Sequence, residues 1–380
     1  MDADFVAIGH YCGSAGSSAL VNEPASASRN SCALRQGLDS LRVVRRPTAM
    51  IWADQRWIGN HGIGRFARHV LAVLDYHAVP LTTNPAAPLD SWRLTRALGG
   101  LALDDLFFSP GYNTPLFCPS PFVFTIHDLS HIYCPENSSP FIRLYYATIM
   151  KRACHRAARI LTVSEFTRNQ IIQWSAVPPA KVFNVGCGVE PAYRSDGARY
   201  PLPFPYLLCV SNRKRHKNEF RTVEAFAQAD LDPRIHLVFT GAPSADLKDG
   251  IEKCQLSSRV DFVGVVPEER LPSLYRGAEA LIFPSLYEGF GLPVLEAMAS
   301  GTPVVTSNTT ALAEVAGDAA LLVDPTSVEQ IAGAMKQVVS DTSLRRQLRE
   351  KGYARAAQFS WASTAAGVYK LLIGTGTPAR

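Results

Sequence analysis

The sequence predicts an α/β protein built from two doubly wound domains that face each other across a cleft. Three observations carry that expectation. From residue 48 onward, short apolar runs alternate with amphipathic helical patterns, the rhythm of parallel strands covered on both faces in Rossmann-like domains. The Pro-rich stretch at 201–205 divides this rhythm into two parts of similar size. A length of 380 residues, with 47% hydrophobic and 19% charged side chains, fits two or three domains and excludes a disordered or fibrous chain.

Residues 1–46 hold GSAGSSALVNEPASASRNS and scattered Arg, with no sustained period of 3.6 or 2. Such a segment buries too little apolar surface to offset its ordering entropy, so it is expected to be a dispensable extension. Strands are predicted at Thr48–Ala53, Phe122–Ile126, Ile160–Val163 and Val182–Val185, with a helix at Arg65–Leu74, giving a first domain over 47–200. Beyond the linker, strands are predicted at Tyr206–Val210, His236–Thr240, Val260–Val263, Ala280–Phe283, Val304–Thr306 and Ala320–Val323. Helical patterns at Glu219–Ala229, Glu268–Gly277, Thr310–Val315 and Val328–Val339 fall between them, giving a second domain over 201–358. Residues 359–380 are expected to form a helix and tail that returns to the first domain. Ligands of such sheets sit beyond the carboxyl ends of the strands, so the residues just after each strand matter most.

Basic side chains exceed acidic ones by 38 − 33 = 5, and the excess lies wholly in residues 1–204, which carry 19 basic and 14 acidic groups. That balance is too weak for nucleic acid. It suits an anionic small partner or an acidic membrane surface. Arg152, His155, Arg156 and Arg159 recur at helical spacing, which reads either as a basic face toward an anionic membrane or as an ordinary solvated face. Eight cysteines without a CxxC pair read as reduced thiols of a cytosol. The acidic opening lacks the positive region of a secretory signal, and no stretch is long enough to span a bilayer. A soluble or peripheral cytoplasmic protein is the expectation.

Four constellations follow predicted strands. EGFGLPVLEA at 288–297 places Gly289 and Gly291 where backbone can approach a ligand, and Pro293 in the first turn of a helix whose N-terminus suits a phosphate. Glu288 and Glu296 can face one crevice there as acceptors for sugar hydroxyls, or serve merely as a loop carboxylate and a first-turn Glu complementing the helix dipole. VSNRKRHKN at 210–218 packs Arg213, Lys214, Arg215, His216 and Lys217 together, able to neutralise a diphosphate or to form a plain solvated loop. His127 and Asp128 follow the strand at 122–126; a His there can contact a sugar hydroxyl or be a satisfied loop residue. Gly62-Ile-Gly64-Arg-Phe-Ala67 formally matches a dinucleotide fingerprint. It begins too far from the strand end near Asp54, and Leu81–Asn84 offers no ribose-binding acid, so a nicotinamide cofactor is not expected.

At these residues the sequence resembles family 4 glycosyltransferases of the GT-B fold, from about residue 48 to 372. The resemblance rests on EGFGLPVLEAMASGTPVVTS, TALAEVAGDAALLVDP, HKN at 216–218, LTVSEFTRNQI, the His127–Asp128 pair and GIGRF. It implies that Glu288 holds the donor sugar's hydroxyls, that Glu296 holds the nucleotide ribose, and that Lys217 binds the diphosphate. Backbone N–H groups around Gly289, Phe290, Gly291 and Leu292 would receive sugar or phosphate oxygens. His127 would reach the transferred sugar, and Gly62, Gly64 and Asp128 would line the acceptor and phosphate side. The sequence departs from the family at two points. Asn212 stands where the family has a phosphate-binding Arg, leaving that role to Arg213 one step on, and Cys187-Gly188-Val189 replaces an N-G-V segment.

The resemblance implies a retaining glycosyltransferase that uses a nucleotide-diphospho-sugar. VSNRKRHKN is similar to the mannosyltransferase branch, which points to GDP-mannose as donor and to a saccharide acceptor, often lipid-linked, in surface polysaccharide assembly. A nucleotide-sugar epimerase or an inert binding protein of the same fold are the rivals; the first needs further catalytic acids, and the second has no need of Glu288, Glu296 and Lys217 together. No metal or other cofactor is expected, because neither acidic triplet, Asp2-Ala-Asp4 or Asp230-Leu-Asp232, follows a strand's carboxyl end.

Overall fold

A computed structural model describes residues 50–87 and 89–374. The expectation that residues 1–46 are a dispensable extension lies outside the described residues. Two six-stranded sheets are present, and every strand pairing in both is parallel. The first runs β2-β1-β3-β4-β5-β6, from β1 (Ile51–Ala53), β2 (His77–Ala78), β3 (Leu106–Ser109), β4 (Phe122–Thr125), β5 (Arg159–Thr162) and β6 (Val182–Asn184). The second runs β12-β11-β10-β7-β8-β9, from β7 (Tyr206–Cys209), β8 (His236–Phe239), β9 (Val260–Phe262), β10 (Ala280–Phe283), β11 (Val304–Ser307) and β12 (Leu321–Val323). The central strands are buried along their whole length, which is why they read as unbroken apolar runs rather than alternating ones.

Two strands escaped the sequence. β2 is a two-residue exposed edge, too short to leave a pattern, and β3 is a four-residue apolar run that periodicity cannot tell from a loop anchor. The first helix also starts earlier than expected: it spans Gly62–Ala72, with the His61 ring accepting from the Gly64 amide as its cap.

One apolar cluster runs from the first domain into the second through Phe66, Cys187, Tyr193, Tyr275, Phe290 and Trp361, while two others cover the outer faces of the sheets. The helix Trp361–Ile373 packs against the helix Gly62–Ala72, and the buried Trp361 stacks on His69 at 4.7 Å with 5° between planes. Gly188 has to be glycine here, because a Cβ would strike the backbone of Ser360 and Trp361. Arg159 sits at the start of β5 and not on the preceding helix, which ends at Arg156. Its guanidinium donates to the carbonyls of Leu371 and Gly374, so the expected basic face of Arg152, His155, Arg156 and Arg159 loses its last member to the docking of the C-terminal helix. Among the described residues no helix is long and apolar enough to cross a membrane.

Trp361 fills the seam between the C-terminal helix and the first domain. Trp361→Ala should cost about 3–5 kcal/mol in denaturant unfolding, the scale for emptying a buried aromatic site. A loss below 1 kcal/mol would mean that the seam carries little of the stability.

Candidate active site

A cavity of about 150 Å³ opens between the carboxyl ends of the two sheets. The first domain supplies Asp128 and Ser130, just past β4; the second supplies Asn212, Lys214, His216 and Lys217, past β7, and Tyr287, Glu288 and Gly289, past β10. Local bonds set these loops against each other. Asn218, at φ +62°, donates its amide to the carbonyls of Pro284 (2.9 Å) and Pro325 (2.6 Å), and the Leu286 amide donates to the His216 carbonyl (2.7 Å). The result is an ion pair of Lys217 Nζ with Glu288 Oε1 at 2.6 Å, both largely shielded from water. Burial alone would raise the Asp128 carboxyl, but hydrogen bonds from the Ser130 amide and hydroxyl outweigh it and hold the group below its usual range.

Direct contacts between the domains close the rest of the cleft. The Gly289 carbonyl accepts from Ser164 Oγ (2.7 Å) and Thr167 Oγ1 (3.1 Å), and a Cβ on Gly289 would collide with the His127 carbonyl. Glu314 accepts from the amides of Glu165 and Phe166, both 2.9 Å, capping a first-domain helix with a second-domain carboxylate. Tyr287 accepts from the Leu129 amide (3.1 Å) and donates to Gln170 (2.5 Å). Beside them Arg65 reaches across to Glu296, with Tyr275 donating to the other carboxylate oxygen (2.7 Å) and Glu268 lying 3.1 Å from Arg65 Nε. The remaining cavity is smaller than the roughly 300–1,000 Å³ that encloses a drug-sized ligand.

The expected site residues therefore divide. Asn212, Lys217, Glu288, Gly289 and Asp128 meet at the cavity. Arg213 does not. At φ +64° its side chain lies away from the cavity, where it bonds to Glu219 and the carbonyls of Thr240 and Ala242 and lies over the Phe239 and Phe262 rings. Lys214 faces the cavity instead. Glu296 is buried in the Arg65 pair, away from the cavity lining. Phe290 is buried against Phe359, Gly291 caps the helix Leu292–Ala299 at φ +112°, and Leu292 is half-buried near Gly62. Gly62 and Gly64 lie in the first turn of their helix rather than in a free loop. His127 is buried behind the cavity, where its Nε2 lies 2.8 Å from the Pro110 carbonyl. Sequence reasoning gave no role to Arg65, Ser164, Thr167, Tyr287 or Glu314. A trace of Ser164 alone was present, since a Ser just before a helix is a capping residue.

Two facing parallel sheets with a charged crevice at their carboxyl ends define a protein of the GT-B class. Sucrose-phosphate synthase of Thermosynechococcus elongatus shares the fold with a TM-score of 0.67 at 20% identity, over 86% of this chain and 99% of that one. WaaG, a glycosyltransferase involved in lipopolysaccharide biosynthesis, shares it with a TM-score of 0.65 at 17% identity, over 86% and 100%. Residues 199–355 match the model of the group 1 glycosyl transferases, and residues 60–193 match that of glycosyltransferase family 4. O-antigen chain mannosyltransferase B of Escherichia coli is 34% identical over 66% of this chain and 70% of that protein. Serotype-specific mannosyltransferase WbdA of Escherichia coli is 29% identical over 63% of this chain, but the match spans only 32% of that longer protein. The chain belongs to the family 4 glycosyltransferases.

Burial lowers the His127 pKa to about 4 against the opposing pull of its Pro110 hydrogen bond, and burial with Lys217 lowers His216 to about 4. Unfolded His takes a proton near 6.5, so the unfolded chain binds protons that the native state refuses. Stability should be complete above about pH 6.5 and fall toward pH 4, with each His contributing at most about 1.4 kcal/mol per pH unit. His127→Gln should flatten this acid limb of the denaturant midpoint. An equally steep limb in the variant would show that His127 is not a source of it.

Proposed function

We propose that this chain is a retaining hexosyltransferase that moves mannose from GDP-mannose to a hydroxyl of a lipid-linked saccharide, on the cytoplasmic face of a membrane, in surface polysaccharide assembly. One observation carries the chemistry: Lys217 and Glu288, from the ends of adjacent strands, pair at 2.6 Å in the interdomain crevice. A donor diphosphate would take Lys217 from Glu288 and free that carboxylate for the sugar's hydroxyls. Lys214 beside it adds a second cation, and the Leu292–Ala299 helix starts without a side-chain cap, leaving first-turn N–H groups for an anion. These charges would stabilise the departing nucleoside diphosphate while the acceptor hydroxyl attacks on the same face. His127, buried behind the cavity and held neutral by that burial, would reach the sugar as an uncharged group only once the cleft opens.

We take the reaction to proceed without a bound metal. A divalent cation on a diphosphate needs carboxylates beside it. The two at the crevice are engaged, Glu288 with Lys217 and Asp128 with the Ser130 amide, and among the described residues no group of three or more His, Cys, Asp or Glu could hold a metal. Asp2 and Asp4 lie outside the described residues. Asp230 pairs with Lys336 (3.0 Å) and Asp232 with Arg234 (2.6 Å), at the entrance of β8 and thus at the end of the sheet opposite the crevice. The choice of mannose and guanine leans on the named mannosyltransferase relatives and on the resemblance of the 210–218 loop.

In a thermal-shift panel GDP-mannose should raise the melting temperature more than any UDP-sugar, by the equivalent of about 2.7 kcal/mol at one hundred times its dissociation constant. A larger shift with UDP-glucose would replace the donor assignment. Lys217→Ala should lower turnover about 100-fold or more, Glu288→Ala should remove most transfer with the fold intact, and excess EDTA should leave the wild-type rate unchanged. Near-wild-type turnover in Lys217→Ala, or a rate lost to EDTA and restored by Mn²⁺, would overturn this mechanism.

A further inference from the structure

We propose that the first domain docks on an anionic phospholipid bilayer through one face, made by the helix Asp90–Ala97, the loop at 116–117 and the helical stretch at 140–156. This deepens the lipid-linked acceptor reading above, and it keeps Arg152 and Arg156 of the basic helix face expected from sequence while adding apolar groups from two neighbouring segments. Four large apolar side chains stand in water there: Phe141 is 74% exposed, Phe117 61%, Leu144 60% and Trp92 48%. Large exposed apolar side chains are unremarkable singly, but grouped they mark an interaction surface.

Hydrogen bonds hold the three segments side by side. Thr95 Oγ1 accepts from the amides of Leu116 (2.8 Å) and Phe117 (3.2 Å), the Arg156 guanidinium donates to the Leu116 carbonyl, and Ser91 Oγ lies 3.3 Å from the Tyr145 hydroxyl. Cations are interleaved with the apolar groups. Arg96 lies 5.0 Å over the Trp92 ring and Arg156 5.8 Å over Phe117, while Arg143 and Arg152 are exposed on the 140–156 stretch. Residues 91–103, 115–120 and 140–156 contain no Asp or Glu, and the adjacent Asp90 is buried against Arg56.

An apolar surface studded with Arg and lacking carboxylates matches a bilayer with anionic headgroups, which takes aromatic rings at the interface and cations at the phosphates. A second copy of this chain fits it poorly, since a two-fold contact through one face sets like charges against each other. The 140–156 stretch begins ten residues after Ser130 at the cavity, so docking would bring the first-domain side of the cleft toward the lipid surface.

Sedimentation of the full chain with vesicles tests this without donor or turnover, so its outcome is independent of the transferase assignment. The wild type should bind vesicles of mixed phosphatidylglycerol and phosphatidylcholine at least about tenfold more strongly than phosphatidylcholine alone, and less in high salt. The quadruple variant Trp92→Ser, Phe117→Ser, Phe141→Ser, Leu144→Ser should lose this binding. Arg143→Gln with Arg152→Gln should weaken it about 25-fold, since each cation near an anionic surface is worth about fivefold. Both variants should keep the wild-type melting temperature; if the quadruple variant does not fold, the double Arg variant decides. Equal or absent binding to the two vesicle types, or unchanged binding in the folded variants, would overturn the proposal. So would a wild-type dimer in size exclusion that the quadruple variant converts to monomer.

Discussion

The buried ion pair of Arg65 with Glu296 is the contact on which the closed arrangement of the two sheets turns. Arg65 comes from the first helix of the first domain and Glu296 from the second turn of the helix after β10, so the pair exists only when the two domains face each other. Desolvating two charges is costly, and the site answers that cost with Tyr275 on the carboxylate and Glu268 near the guanidinium. The same interactions hold the Arg65 guanidinium firmly charged, since the acidic neighbours outweigh the effect of burial. Removing one partner would leave a buried charge uncompensated, a penalty of about 3–5 kcal/mol.

Around that pair the interface is polar and specific rather than merely greasy. Ser164, Thr167 and Glu314 spend helix-capping groups across the domain boundary, and Gly289 lets two backbones meet where a methyl would not fit. The apolar seam through Phe66, Tyr193, Tyr275 and Trp361 supplies the continuous burial beneath them. Polar contacts of this kind exchange readily for a ligand's own donors and acceptors. An apolar seam offers no such exchange.

The crevice is economical in the same sense. Lys217 and Glu288 neutralise each other in the absence of ligand, which keeps both charges tolerable in a shielded place. In the proposed reaction a donor's phosphate and hydroxyls would satisfy the two separately. Two histidines nearby are kept neutral by burial, so the positive charge at the crevice is that of lysine rather than of a group that titrates near neutrality.

By itself the sequence determined the alternation that makes two parallel sheets and the loops where Asp128, Asn212, Lys217, Glu288 and Gly289 emerge. These were legible because strand ends and glycine-rich turns are local features, set by a few consecutive residues. Tertiary structure alone decided which neighbour in a basic run lines the crevice: residue 213 sits at a positive φ with Arg213 bonded to Glu219, and the exposed Lys214 borders the cavity. It also decided that Glu296 meets Arg65, a partner 231 positions away, and that Arg159 serves the C-terminal helix rather than a basic helical face. Pairing at such separations depends on how two domains are laid against each other, and no periodicity or spacing along the chain encodes that distance.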